Sequence, residues 1–264
     1  MREPVLLKSG AWRAPPSHNI ELRVTLEIIM RAVIFLLLLL PTLPLEAELV
    51  HIAAATNFKL TAEKINALFE VETPHRATLS SASTGVLYNQ IIHGAPFDIF
   101  FSADVNSAER LGEEGYGTAD SHFCYALGEL VLMGSGNVAR DLTDPSLSLA
   151  IANPQTAPYG RAALEVIQRP EFIGARQRKL VRANNAAQAY QHWHSSAVDL
   201  ALVPRSLARN RGTAITPSWY TGIEQHVILL KNSGDNPAAK TYMRWIRSEQ
   251  VQALITEAGY GPCP

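Results

Sequence analysis

Leu49-Val50-His51-Ile52-Ala53-Ala54-Ala55-Thr56-Asn57-Phe58 reads as a short apolar strand that runs through a small polar turn into a helix. Beyond the turn, Phe58, Ala62, Ile65 and Phe69 recur at i, i+4, i+7 and i+11, which is one face of a helix. The same unit returns further on. Arg76–Ser80 reads as a strand that passes through Ser81-Ala82-Ser83-Thr84-Gly85 into a helix carrying Leu87, Tyr88 and Ile91, and Gly94-Ala95-Pro96 breaks that helix. Phe97–Phe101 is a buried strand ending at Ser102-Ala103-Asp104.

Strands are expected downstream at Gly128–Met133, Leu147–Ala152, Lys179–Arg182, Asp199–Val203 and Gln225–Lys231. Helices are expected after Tyr159-Gly160, from Ala186 to about Ser195, and after Asn236-Pro237, where an N-cap residue precedes a first-turn proline. Strand alternating with helix predicts an α/β fold with mostly parallel sheets. The strands fall into two groups, which predicts two lobes. The chain is expected to cross to the second lobe near 124–132 and to return near 222–231. The first lobe would then comprise 48–125 and 224–264, and the second 126–223.

The N-terminal part stands outside this pattern. Ala32-Val33-Ile34-Phe35-Leu36-Leu37-Leu38-Leu39-Leu40 is too short for a membrane span, which needs ~20 residues. Arg31 precedes it, and Pro41, Pro44 and Leu45-Glu46-Ala47 follow, so 30–47 reads as a secretory signal peptide. A buried core helix is the alternative, disfavoured because five successive leucines leave no polar face. Such a signal normally opens a chain, so translation is expected to start at Met30, with 1–29 an upstream extension. A longer basic region or a retained signal anchor is the other reading.

Composition narrows the classes. The chain has 264 residues, of which 47% are hydrophobic and 18% charged, enough for a packed core and too apolar for disorder. Residues 48–264 carry 18 basic and 20 acidic side chains, so no basic excess exists to neutralise nucleic acid. Two cysteines, Cys124 and Cys263, allow one disulfide in an exported protein; two free thiols are the alternative.

In open α/β sheets, ligands bind beyond the carboxyl ends of strands. Four strand-to-helix junctions here are Thr56-Asn57, Ser83-Thr84, Tyr159-Gly160 and Asn185-Ala186. Each would present unpaired backbone N–H groups and the positive end of a helix dipole. Several such ends facing one cleft make an anion site without a cationic side chain. Any one of them alone is an ordinary N-cap.

Ala53-Ala54-Ala55-Thr56-Asn57-Phe58 resembles the first ligand motif of periplasmic molybdate-binding proteins, the solute receptors of molybdate ABC transporters. Ser83-Thr84-Gly85 with Tyr88 and Gln90-Ile91, and then Gly94-Ala95-Pro96-Phe97-Asp98 through Asp104, is similar to their second motif. Ile151-Ala152-Asn153-Pro154 through Tyr159-Gly160 resembles the third, and Asn185-Ala186-Ala187-Gln188-Ala189 the fourth. Asn236-Pro237-Ala238-Ala239 and Gly259-Tyr260-Gly261 also fit.

The resemblance implies a two-lobed periplasmic-binding-protein fold of type II, with the ligand in the cleft between lobes. It implies ligand binding by Thr56, Asn57, Ser83, Tyr159 and Ala186. Thr56 and Ser83 would donate hydroxyl and backbone N–H bonds; Asn57 would support Thr56 or donate itself. Tyr159 and Ala186 would donate at least through backbone N–H. One branch of the family places a ligand-reaching tyrosine after the strand Asp199–Val203; Pro204-Arg205 stands there instead, and Tyr159 is the substitute, as in another branch. The resemblance further implies a monomer with no cofactor, an oxyanion ligand and a membrane permease as partner, in the periplasm.

Molybdate is a tetrahedral dianion that only accepts hydrogen bonds, so a pocket made only of donors suits it. Phosphate keeps a proton near neutral pH, and a donor-only pocket leaves that proton unpaired at a cost of ~1–3 kcal/mol. Sulfate must be rejected by size, and tungstate should bind comparably. The alternatives are a receptor for another oxyanion such as sulfate, and a serine hydrolase using Ser81 or Ser83 with a histidine base. The chain lacks a G-x-S-x-G elbow. His192 and His194 point to different sides of a helix and are not expected to hold a cation. Arg205 is expected in an ion pair.

Overall fold

The computed structural model describes residues 29–31, 47–118, 120–209 and 211–264. The upstream extension and signal peptide expected over 1–47 lie outside them, save 29–31 and 47. Glu46–Pro264 form one compact unit.

In chain order the strands are β1 Leu49–Ala55, β2 Arg76–Ala82, β3 Ile99–Phe101, β4 Phe123–Gly128, β5 Leu130–Met133, β6 Leu149–Ala152, β7 Leu180–Ala183, β8 Leu200–Pro204, β9 Thr213–Ala214 and β10 Ile223–Leu229. The helices are α1 Lys59–Glu72, α2 Thr84–Ile92, α3 Val105–Glu113, α4 Val138–Thr143, α5 Pro158–Ile167, α6 Ala186–His194, α7 Arg205–Ala208, α8 Pro237–Trp245 and α9 Glu249–Glu257.

The strands build two five-stranded sheets, β2-β1-β3-β10-β4 and β7-β6-β8-β5-β9. In the first, β1 pairs in parallel with β2 and β3, and β10 runs antiparallel between β3 and β4. In the second, β6 pairs in parallel with β7 and β8, and β5 runs antiparallel between β8 and β9. Each sheet is therefore mostly parallel, with one reversed strand. That strand is in each case the first one laid down after the chain changes sheets.

Both faces of each sheet are covered, which is why the strands read as near-continuous apolar runs. On one face of the first sheet lie Phe58, Phe69, Phe101, Tyr125 and Tyr242, with the Phe58 and Phe101 rings stacked at 5.1 Å. On the other lie Leu87, Ile91, Phe100, Leu111 and Ile228. The helical face expected from Phe58, Ala62, Ile65 and Phe69 is fully buried. Each large apolar side chain so buried contributes ~1.5–3 kcal/mol.

One expectation is corrected and two are refined. Gly128–Met133 is not one strand: Gly128 closes β4 in the first sheet and Leu130 opens β5 in the second, with Glu129 alone between them. The one charged residue of the run, Glu129, stands at the sheet change. A side chain at Gly128 would collide with the Tyr159 hydroxyl, so glycine is required at that turn. The strand expected over Asp199–Val203 is β8, which ends at Pro204, paired with Leu130, where no further N–H is needed. The helical region after Asn236 divides into α8 and α9, the second capped by Ser248, whose Oγ accepts from Val251 N.

Cys124 and Cys263 are joined in a disulfide, with Cα atoms 6.0 Å apart. Beside it, Leu127 and Gly261 exchange two backbone hydrogen bonds of 2.8 Å. The tail is thus pinned to β4, next to the crossing.

Candidate functional site

Contacts link the four junctions one to the next, and the cleft beside them is lined by Thr56 and Asn185 but not by Ser83, Tyr159 or Ala186. Thr56 N donates to Ala82 O at 3.0 Å, placing the turn before α1 beside Ser83, the N-cap of α2. Gly85 N donates to Thr156 O at 2.9 Å, tying the start of α2 to the loop that leads into α5. Ala157, the N-cap of α5, and Ala186, the first residue of α6, pack in one apolar cluster with Ala152 and Leu207. A cleft of about 350 Å³ lies between Thr56, Lys59 and Ser81 on one side and Asn184, Asn185 and Gln188 on the other.

The helix starts at these junctions offer donors. The Asn185 Oδ1 accepts from Gln188 N at 2.9 Å, which leaves the Ala186 and Ala187 N–H groups without an intrahelical acceptor. Tyr159 occupies the second position of α5 and its N–H is free for the same reason. Ser83 is 4% exposed, makes no capping bond, and its Oγ has no partner; the buried Ser81 Oγ has none either. A buried hydroxyl left unpaired costs ~1–3 kcal/mol, so the two mark a place that lacks an acceptor.

Thr56 departs from expectation in one respect. Its backbone N–H is consumed by Ala82 O, since the β1–β2 ladder runs one residue past the strands, and only the hydroxyl remains to donate. The Asn57 side chain turns away into a buried network. Its Nδ2 donates to Gln225 Oε1 at 2.5 Å and to the Tyr260 hydroxyl at 3.2 Å, and its carbonyl accepts from Tyr260 at 2.8 Å and Ser206 Oγ at 3.0 Å. Tyr125 donates to the same Gln225 Oε1 at 3.2 Å, and Gln225 Nε2 donates to the Tyr159 hydroxyl at 3.4 Å. Gln225, fully buried on β10, therefore links the Thr56-Asn57 turn of one lobe to α5 of the other.

Burial raises the pKa values of Tyr125, Tyr159 and Tyr260, with neighbouring tyrosines adding to the rise at the first two. All three remain neutral donors at physiological pH. The Tyr159 oxygen accepts from Gln225, which leaves its own proton to give.

One cation lines the cleft, and other charges stand around it. Lys59 lines the cleft and pairs with Glu63 at 3.7 Å, both half-exposed. Arg161 of α5 pairs with Asp104, the N-cap of α3, from one lobe to the other. Arg205 pairs with Glu129 at 2.6 Å, at the crossing. Among the described residues, neither serine hydroxyl is bonded to a histidine.

Sequence reasoning missed Gln225, Tyr125, Ser206 and Lys59. None carried a distinct signal: Gln225 stands between Glu224 and His226 in its strand, so nothing in the sequence sets it apart.

The matches with known proteins agree with this geometry. A family model of bacterial extracellular solute-binding proteins matches residues 50–261. The molybdate-binding protein ModA of Rhodobacter capsulatus is 34% identical over 227 residues, covering 83% of this chain and 90% of that protein. ModA of Azotobacter vinelandii is 34% identical over 229 residues, covering 82% and 91%. The solved structure of the Azotobacter vinelandii periplasmic molybdate-binding protein superposes with a TM-score of 0.75 at 31% identity, covering 81% of this chain and all of that one.

Proposed function

From the premise that this chain belongs to the family of bacterial extracellular solute-binding proteins, with its two-lobed type II fold, we propose that it captures molybdate, and tungstate comparably, and hands it to the permease of an ABC transporter. The observation that carries this reading is the pair of buried, unpartnered hydroxyls, Ser81 Oγ and Ser83 Oγ, among free helix-start N–H groups. A site of neutral donors suits an anion that only accepts.

In this reading Thr56 and Ser83 donate hydroxyl bonds, and Asn57, Tyr159 and Ala186 donate from the backbone. The Tyr159 phenol adds a proton if the anion sits within its reach. The first lobe is 48–125 with 224–264 and the second 126–223. The lobes close on the ligand about the two crossings. No bond is made or broken, and the protein acts as a monomer without a cofactor. Residues 30–47 export it to the periplasm.

Calorimetry with molybdate, tungstate, sulfate and phosphate tests the proposal. Tight binding of the first two, weak binding of sulfate and none of phosphate are expected. Sulfate bound as tightly as molybdate, or no heat from molybdate, overturns it.

A further inference from the structure

A second cavity lies in the second lobe at the end remote from the cleft. It holds about 350 Å³, within the usual range of small-molecule sites, about 300–1,000 Å³. Leu180, at its wall, is the first residue of β7, whereas the cleft takes up after the last, Ala183. Leu142, Leu164 and Phe172 supply apolar walls, and Arg176 and Arg178 also line it. None of its nine lining residues is acidic.

Arg178 is 8% exposed. Its Nε donates to Ala175 O at 3.1 Å and its Nη2 to Leu142 O, which fixes the guanidinium plane. Its Nη1 is buried and has no partner. Two backbone carbonyls satisfy part of the hydrogen-bonding capacity but none of the charge, and a buried charge calls for a counter-charge. Burial accordingly pulls the arginine pKa down, partly offset by Asp144.

We propose that this cavity is a second ligand site, for a small amphipathic monocarboxylate whose head meets the Arg178 guanidinium and whose chain lies against Leu142, Leu164 and Phe172. A fully hydrated inorganic anion gains nothing from apolar walls, and a neutral apolar molecule leaves the guanidinium nitrogen unpaired. A molecule with one anionic end and one apolar end answers both. A carboxylate is also the planar group that suits a guanidinium held in one orientation. The site stands apart from the oxyanion cleft, and the proposal does not depend on what the cleft binds.

Octanoate, octan-1-ol and sulfate titrated separately into the full chain, followed by calorimetry and by the melting temperature, test this. Octanoate is expected to bind with a Kd of about 1 mM or tighter. Octan-1-ol and sulfate should each bind roughly tenfold more weakly or not at all. Arg178→Gln should weaken octanoate about tenfold. Because Arg178 also ties two loops together, Leu164→Trp is the second variant: it fills the cavity from its half-buried rim and should abolish octanoate binding while the response to molybdate stays as in the parent. Octanoate binding no tighter than octan-1-ol, or octanoate binding that survives Leu164→Trp, overturns the proposal.

Discussion

The Gly85 amide points at the Thr156 carbonyl from the opposite lobe, 2.9 Å away, and a Cβ on Gly85 would sit 3.2 Å from the Thr156 Cα and 3.3 Å from its oxygen. The two lobes thus meet backbone to backbone beside the Ser83 cap. Overpacking such a contact costs ~1–3 kcal/mol, and here the contact exists only when the lobes touch. Gly85→Ala is therefore expected to weaken ligand binding by roughly five- to a hundredfold, with little change in the melting temperature of the ligand-free protein. Calorimetry beside a thermal scan separates the two effects.

Ser83→Ala and Thr56→Ala each remove a hydroxyl donor to a charged acceptor, worth ~1.5–3 kcal/mol. Each should weaken molybdate binding at least tenfold. Ser83→Ala should also leave the ligand-free protein no less stable, since its hydroxyl has no partner to lose. A stability loss in Ser83→Ala with unchanged affinity would contradict the assignment.

Gln225 satisfies Asn57 Nδ2 and the Tyr125 hydroxyl at once. Gln225→Leu keeps the bulk, leaves Asn57 Nδ2 with the Tyr260 hydroxyl alone and Tyr125 with only its longer bond to Ser102 O at 3.4 Å, and so costs up to ~1–3 kcal/mol for each bond lost. The melting temperature should fall by several degrees, roughly 2–4 °C per kcal/mol for a chain of this size. Molybdate affinity should fall with it, because the Asn57 turn loses its anchor.

The disulfide closes a loop with a sequence separation of 139 residues. By loop-closure entropy such a bridge stabilises by up to about 5 kcal/mol. Cys124→Ser, or reduction, is expected to lower the melting temperature markedly and to leave molybdate affinity within about twofold, since both cysteines sit in the first lobe away from the donors.

The buried phenols set the response to alkali. Unfolded tyrosines ionise near pH 10, whereas Tyr125, Tyr159 and Tyr260 keep their protons to higher pH. Above about pH 10 the unfolded state therefore holds fewer protons than the folded one, and stability should decline as pH rises further. Denaturant titrations at about pH 8 and about pH 11 measure this. Tyr242, equally buried, adds in the same sense.

Much of this was legible in the sequence because it is local. The Phe58–Phe69 face, the Ser83 and Asn185 caps and the alternation of strand with helix each depend on residues a few positions apart. What was not legible is what joins distant segments. The Asn57–Gln225 contact spans 168 residues, and no short-range pattern announces it. Gly128 looks like any strand glycine until the Tyr159 ring is known to pass over it. Two cysteines allow only one pairing, yet nothing local says that they meet. Arg205 was foreseen in an ion pair, but its partner Glu129 at the crossing, 76 residues back in the chain, was not.

That crossing has a mechanical corollary. The outward passage between sheets is a single residue, Glu129, whereas the return runs through 215–222 and a short turn at Pro217–Trp219. A pivot one residue long admits twist but almost no translation, while the longer strand of chain beside it can pay out slack. A swing of one half against the other would turn at Glu129, with the longer return passage taking up the difference.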